Sequence, residues 1–254
     1  IFKLFIEGIK MKLFKMFTLT LLFLLALVQL NIFAQDSLEI SKQKAKDAIE
    51  KYLTAIGGRD VLAKVEDRTT IMRGTAMGQS ITLIAKQKSP NKLRQEIKAG
   101  GMEQLVIFDG EKGVMNAMNQ KIEVKDKELE ALKIEAVMEF LLDPESYGIK
   151  ISYEGSEKIN TKETYKIKMV LPSGLRWFSF FDAESGLKVK EEKELQTQMG
   201  LMNQTFTFDD YKEVDGIKYP HKIVQSAGGQ SIDVTVSSIK VNKGLADDIF
   251  VIIE

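Results

Sequence analysis

From Asp67 to the C-terminus, apolar and polar residues alternate with a period of two, in short runs that stop at Gly, Pro, Asn or Asp. The runs fall near 68–77, 80–88, 92–99, 102–109 and 113–118, then 149–157, 163–171, 174–182, 187–198, 202–213, 217–226 and 230–241. Between them stand Gly78-Gln79, Ser89-Pro90-Asn91, Gly100-Gly101, Asp109–Lys112, Pro172-Ser173-Gly174, Asp182–Gly186, Asp215-Gly216 and Gly228-Gly229. Links this short join antiparallel neighbours, because a parallel crossover needs a dozen residues or more. Asp215-Gly216, between Val214 and Ile217, is the strongest hairpin signal. The pattern predicts a mainly β (α+β) chain of about eleven or twelve antiparallel strands in one domain.

Two helices interrupt this reading. Ala45, Ala48, Ile49, Tyr52, Leu53 and Ile56 form one apolar stripe at helical spacing, and Gly57-Gly58 ends it. A short helix is expected at Asp60–Val65. A second substantial helix is expected from Asp126 to Leu142, closed by Asp143-Pro144. Its apolar arc is wide: Leu129, Leu132, Val137, Phe140 and Leu141 on one side, Ile134, Met138 and Leu142 beside them. Such an arc fits either a lid over a cavity or a helix packed between sheet and loops.

Ahead of this domain, Lys12 and Lys15 precede an apolar run from Met16 to Phe33, then Ala34 and the polar Gln35-Asp36-Ser37. That is the pattern of a cleavable secretory signal peptide, with Met11 as initiator and residues 1–10 as an upstream extension. An uncleaved membrane anchor is the competing reading. The expected division is 1–34 for extension and signal, and 35–254 for the single domain. The expected location is the periplasm.

Removing residues 1–34 takes four lysines and one glutamate from 36 charges of each sign, leaving 32 basic and 35 acidic residues. A net charge near −3 argues against a nucleic-acid partner. The sequence has no cysteine, which excludes disulfides, thiolate metal sites, a catalytic cysteine and a lipidated cysteine at the cleavage site. His221 is the only histidine, in KYPHKIV, so the usual Ser-His-Asp and His-rich zinc sites cannot be built. No nucleophile elbow, phosphate loop or dinucleotide fingerprint occurs. The acid clusters Asp209-Asp210, Asp247-Asp248 and Glu191-Glu192 with Glu194 read as solvated charges. The inventory predicts no enzyme, no metal and no cofactor.

Nine of the eleven methionines follow residue 34, among them Met72, Met77, Met102, Met115, Met118, Met138, Met169 and Met202. Unbranched, polarisable side chains suit a pocket of low selectivity, though each is equally well explained as core filling.

Several short motifs point further. Ser89-Pro90-Asn91-Lys92-Leu93-Arg94 opens one strand, and Val106-Ile107-Phe108-Asp109-Gly110 ends the next. Tyr52–Gly58 reads YLTAIGG, and Asp210–Pro220 reads DYKEVDGIKYP. Together with the order of elements, these resemble the LolA/LolB outer membrane lipoprotein-sorting family, in its Bacteroidetes form. The sequence departs from that pattern at Ser89, where the family usually has arginine, and at Gly113-Val114, where many members have Leu-Trp.

The resemblance implies a strongly curved sheet forming an incomplete β-barrel, covered by the N-terminal helix and a mid-chain lid. It implies a periplasmic carrier that holds lipoprotein acyl chains in an apolar cavity and moves them toward the outer membrane. The partners implied are an inner-membrane release complex and an outer-membrane acceptor, with the carrier as a monomer. The expected wall is Met72, Leu83, Leu93, Ile97, Leu105, Met169, Trp177, Phe206 and Phe208, with Leu132, Phe140 and Leu141 from the lid. Two other readings stay open: an envelope-stress sensor or interaction module on the same fold, and a periplasmic binder of a sterol, polyisoprenoid or outer-membrane lipid.

Overall fold

The computed structural model describes residues 36–76, 78–118, 120–197 and 200–253. The signal-peptide expectation, and Met77, lie outside these residues. No helix among them is long and apolar enough to cross a membrane. The chain divides into two units, Ile1–Lys44 and Ala45–Glu254. In the first, residues 36–44 are helical, with Leu38 and Ile40 exposed. The second holds all thirteen strands.

That unit opens with a helix over residues 45–56 (α1), followed by α2 (Arg59–Leu62). The first meander is β1 (Asp67–Ala76), β2 (Gln79–Lys88), β3 (Lys92–Ala99), β4 (Met102–Phe108), β5 (Gly113–Ala117) and β6 (Gln120–Val124). Then comes α3 (Asp126–Ala136), with 3-10 turns at Phe140–Leu142 and Pro144–Tyr147. The second meander is β7 (Lys150–Ile159), β8 (Lys162–Val170), β9 (Arg176–Asp182), β10 (Lys188–Thr197), β11 (Gly200–Val214), β12 (Ile217–Ala227) and β13 (Gln230–Val241).

All thirteen strands form one curved antiparallel sheet in the order β6-β5-β4-β3-β2-β1-β13-β12-β11-β10-β9-β8-β7. The edges β6 and β7 do not pair, so the barrel stays open. The segment joining those two edges carries α3. The strand missing from the sequence reading is β6, QKIEV, which alternates correctly but runs straight into the helix. At the strongest hairpin signal, Asp215 (φ 51°) and Gly216 (φ 80°) are both left-handed, as a two-residue hairpin turn requires.

Every residue of the α1 stripe is buried, Leu53 and Ala45 completely. The stripe packs on Ile167, Met169, Trp177, Phe181, Ile217 and Tyr219, together with Ile134 and Leu141 from α3 and the following turn. A second cluster joins Leu132 and Ala136 to Leu93, Phe108 and Val124. α1 and α3 thus lie on one face of the sheet, called the helix face below. Each apolar side chain buried there is worth about 1.5–3 kcal/mol.

The expectation of a helix to Leu142 is corrected: α3 stops at Ala136, and Val137 is extended (ψ 123°). The reason is tertiary. Gln87 Nε2 donates to the Glu135 carbonyl (2.9 Å), taking a helix-end acceptor. Leu141 is then drawn fully into the α1 cluster from a 3-10 turn. The short helix likewise ends at Leu62, not Val65.

The seam between the two meanders is β1 against β13. Asp67, 4% exposed, closes it: its carboxylate accepts from the backbone N–H of Lys243 (3.0 Å), Gly244 (2.8 Å) and Leu245 (3.3 Å). Asn242 reaches back, accepting from Glu66 N and donating to Lys64 O. From there the C-terminal segment crosses to the opposite face, where Asp247 pairs with Lys88 and Lys92 and Phe250 is buried. An Asp67→Asn variant would turn an amide donor toward these N–H groups. Its expected cost is about 2 kcal/mol, read as a lower urea midpoint at unchanged slope.

Candidate functional site

Side chains paired across an antiparallel sheet share a face, so the register assigns every wall residue. Met72 pairs with Leu83, Leu83 with Ile97, and Arg68 with Gln87, which in turn pairs with Leu93. On the other meander Met169 pairs with Trp177, Trp177 with Lys193, Ser179 with Glu191, and Glu191 with Phe206. Gln87 reaches α3, and Trp177 and Met169 pack in the α1 cluster, so all of these lie on the helix face.

Eleven of the twelve sequence-derived wall and lid positions therefore meet on one face or in the segment over it. Met169 and Trp177 are fully buried, Leu93 and Leu141 nearly so, and Leu132 is 8% exposed. Met72, Leu83, Ile97, Phe140, Phe206 and Phe208 are half-buried. Leu105 is the exception. It pairs with Glu96 and Asn116, and lines a shallow depression of about 270 Å³ with Arg94, Glu96 and Glu103 on the opposite face. In LVIF every residue is apolar, so alternation does not mark the inward set.

The wall has two parts. Near the helices, aromatic side chains stack under the lid: Phe140 meets Trp177 edge-on (6.0 Å, 72°), and Tyr52 meets Phe181 (5.0 Å). Beyond them Met72, Leu83, Ile97, Phe206 and Phe208 belong to neither packed cluster. Phe206 and Phe208 are parallel at 6.3 Å. The other face of LRWFSFF carries Phe178 and Phe180, covered by the stem and ammonium of Lys166, with Lys190 over Phe180.

Between the two parts runs a buried polar network that the sequence reading missed. Glu191, 5% exposed, binds Lys188 (3.1 Å) and Lys193 (3.4 Å), and Lys193 binds Glu135 on α3 (3.0 Å). The Lys193 ammonium also lies 4.4 Å over the Trp177 ring and 5.7 Å over Phe206, while Lys188 lies 5.1 Å over Phe208. These are favourable cation–π contacts, strengthened by desolvation. Arg68 donates to Gln87 (2.5 Å) and lies over Tyr219, and its Nε has no hydrogen-bond partner. Tyr211 donates to the Lys188 carbonyl at 2.7 Å.

The electrostatics follow from burial and pairing. Burial pushes the Glu191 carboxyl up, but Lys188 and Lys193 outweigh it and hold it down at about 2. Burial works against the Lys193 ammonium, yet Glu135 and Glu191 raise its pKa above the usual range. Glu139, in the turn after α3, is pushed up by burial, against the pull of Lys188 and Arg68. Reading Glu191 as a solvated strand-face charge was therefore wrong; only its register opposite Ser179 and Phe206 places it inside.

The lid is held by few polar contacts. Lys193 to the Glu135 carboxylate and Gln87 to the Glu135 carbonyl both end on one residue of α3, and the Glu130 carboxylate of α3 accepts from the Ser173 N–H in the β8–β9 turn (2.9 Å). Among the described residues no group of three or more His, Cys, Asp or Glu could hold a metal ion. His221 is half-buried, its Nδ1 3.0 Å from the Tyr219 carbonyl.

An open antiparallel sheet with two helices on one face is also the arrangement of several solved structures. A LolA superfamily protein from Nitrosomonas europaea superposes with a TM-score of 0.53, at 13% identity, over 83% of this chain and 97% of that one. The fold is LolA-like. A Vibrio parahaemolyticus domain assigned to outer membrane lipoprotein sorting matches equally (0.53, 14% identity, 82% and 97% coverage). A DUF1329 family protein from Desulfovibrio piger gives 0.52 at 13% identity, over 81% of this chain and 96% of that one. No family model matches the sequence, and no curated protein matches it either. The LolA-like fold is thus shared at sequence identities that fix architecture alone.

Proposed function

We propose that this protein is a periplasmic carrier that binds lipoprotein acyl chains against the helix face and moves them toward the outer membrane. The observation that carries the reading is the half-buried apolar stretch Met72, Leu83, Ile97, Phe206 and Phe208. It continues the wall beyond the packed clusters, next to a lid whose polar ties end on two residues of α3, Glu130 and Glu135. Acyl burial is worth about 0.8 kcal/mol per methylene, so a chain of sixteen carbons offers up to ~12 kcal/mol. A carrier must give the chain up again. Displacing α3 on loading breaks the Lys193–Glu135 pair and uncovers Leu132 and Ala136, which offsets part of that gain. Export by the N-terminal signal, handover at two membranes and a monomeric state belong to the same proposal.

Native mass spectrometry with lipid extraction on the protein purified from periplasm tests this directly. Co-purifying acylated lipoprotein supports the carrier. A clean apo mass, together with no uptake of an apolar fluorescent probe, would sink it. Polar replacement of the half-exposed wall, Leu83→Asn with Phe206→Asn, is expected to weaken probe uptake by about tenfold or more. Unchanged uptake would remove these residues from the site.

A further inference from the structure

The charges of the buried network divide unevenly between the sheet and the lid segment over it. The sheet supplies Arg68 from β1 and Lys188, Glu191 and Lys193 from β10, three cations against one carboxylate. The lid segment supplies two carboxylates to the network, Glu135 of α3 and Glu139 of the turn after it. Covered, the network is balanced. Uncovered, the sheet keeps a net charge of +2, three cations less one carboxylate, beside an apolar wall.

The pairing is also incomplete. Glu191 takes Lys188 and Lys193, and Glu135 takes Lys193. Among the described residues Arg68 has no carboxylate at ion-pair distance. Its guanidinium donates to the Gln87 amide oxygen and lies over Tyr219, while Nε is buried without a partner. Glu139 is close enough for Lys188 and Arg68 to act on its carboxyl, yet the hydrogen bond it accepts comes from the Leu141 backbone. A cation and a carboxylate thus face each other out of water without closing to an ion pair. A charge buried in that way is costly, and a guanidinium with a spare donor matches a carboxylate or a phosphate. The apolar wall begins beside it: Arg68 shares a face of β1 with Met72, and the Lys188 ammonium lies over Phe208.

We propose that Arg68 and Lys188, with Lys193, form a head-group site for an amphiphile whose acyl chain lies on the wall and whose head is a carboxylate or a phosphate. The head takes the place of the Glu139 and Glu135 carboxylates as the lid lifts. Loading then exchanges one set of anions for another and never leaves the cations bare. A neutral head would leave them unpaired, and a cationic head would be repelled. This rests on the reading that acyl chains lie against the helix face, and adds what the ligand must carry at its polar end.

A matched series of sixteen-carbon ligands separates head from tail, because the tail contributes equally throughout. Hexadecanol, hexadecanoate, hexadecyl phosphate and hexadecyltrimethylammonium, each below its micelle-forming concentration, are used to displace an apolar fluorescent probe from the full chain. The two anions are expected to bind about tenfold or more tighter than the alcohol, as charge-assisted hydrogen bonds provide, with the ammonium weakest. The stronger of the two anions tells carboxylate from phosphate. Arg68→Gln is expected to remove most of this preference while hexadecanol binds as before. Glu139→Gln, which takes away a competing carboxylate, is expected to raise the preference by about threefold or more. Equal affinity of wild type for the alcohol and the anions would overturn the head-group site and leave the carrier reading standing. So would an Arg68→Gln loss that is the same for all four ligands, which is what a purely structural role produces. Failure of every ligand to displace the probe would remove the carrier reading itself, and this inference with it.

Discussion

Truncating Trp177 to alanine is expected to cost about 4 kcal/mol, as large aromatic deletions from a filled core do. The indole is fully buried and does three things at once. It packs in the α1 cluster, receives the edge of Phe140 from the lid segment, and supports the Lys193 ammonium at 4.4 Å. Its Nε1 also donates to the Glu194 carbonyl at 3.3 Å, a weaker contribution. For a unit of this size the loss corresponds to a fall in Tm of roughly 8–16 °C. Trp177→Phe keeps most of the volume and the ring face, and is expected to recover more than half of it. Equal effects of the two variants would show that the ring face under Lys193 contributes nothing.

The second large effect is expected at Glu191. Removing it as Glu191→Ala leaves Lys188 and Lys193 facing each other out of water, a broken buried pair costing about 4 kcal/mol. Replacing Lys188, Glu191 and Lys193 together by methionine substitutes the buried cluster instead of breaking it, and should cost less than Glu191→Ala alone. Urea unfolding of the three proteins separates the cases. The same group sets a pH dependence. Its folded pKa, about 2, lies below that of the unfolded carboxyl. Its contribution, on the order of 3 kcal/mol, is therefore complete above the unfolded value near 4.5 and is lost as pH falls through 2. Wild type should lose stability across that window, and Glu191→Ala should lose less.

Much of the architecture was legible because hairpin chemistry is local. Asp215-Gly216, the α1 stripe and the alternation of β1, β2 and β13 each state their structure within a dozen residues. What failed was decided at a distance. β6 merged with the approach to α3, and α3 ended early because Gln87, from another strand, takes its last-turn carbonyl. The strand KVKEEKELQT reads as solvated, yet its register puts Glu191 and Lys193 beneath the lid. Leu105 failed for the opposite reason, an unbroken apolar run without a preferred face. Apolar wall residues can be found from alternation. A buried ion network cannot, because lysine and glutamate look the same in sequence whether they meet water or each other.

The seam held by Asp67 and Asn242 has a consequence for how the chain assembles. Eleven of the twelve strand pairings join neighbours in sequence, and only β1 with β13 spans the unit. Each meander can zip up hairpin by hairpin, with little loop entropy lost at each step. The long-range search is thereby reduced to a single docking event between two preformed halves. Asp67 and Asn242 stand where that event ends, tying the segment before β1 to the one after β13. A chain cut between β6 and β7 and rejoined across the seam would convert that one distant pairing into a local one. It would also cut the tether that carries α3, leaving a sheet that assembles readily under α1 but holds α3 from one edge only.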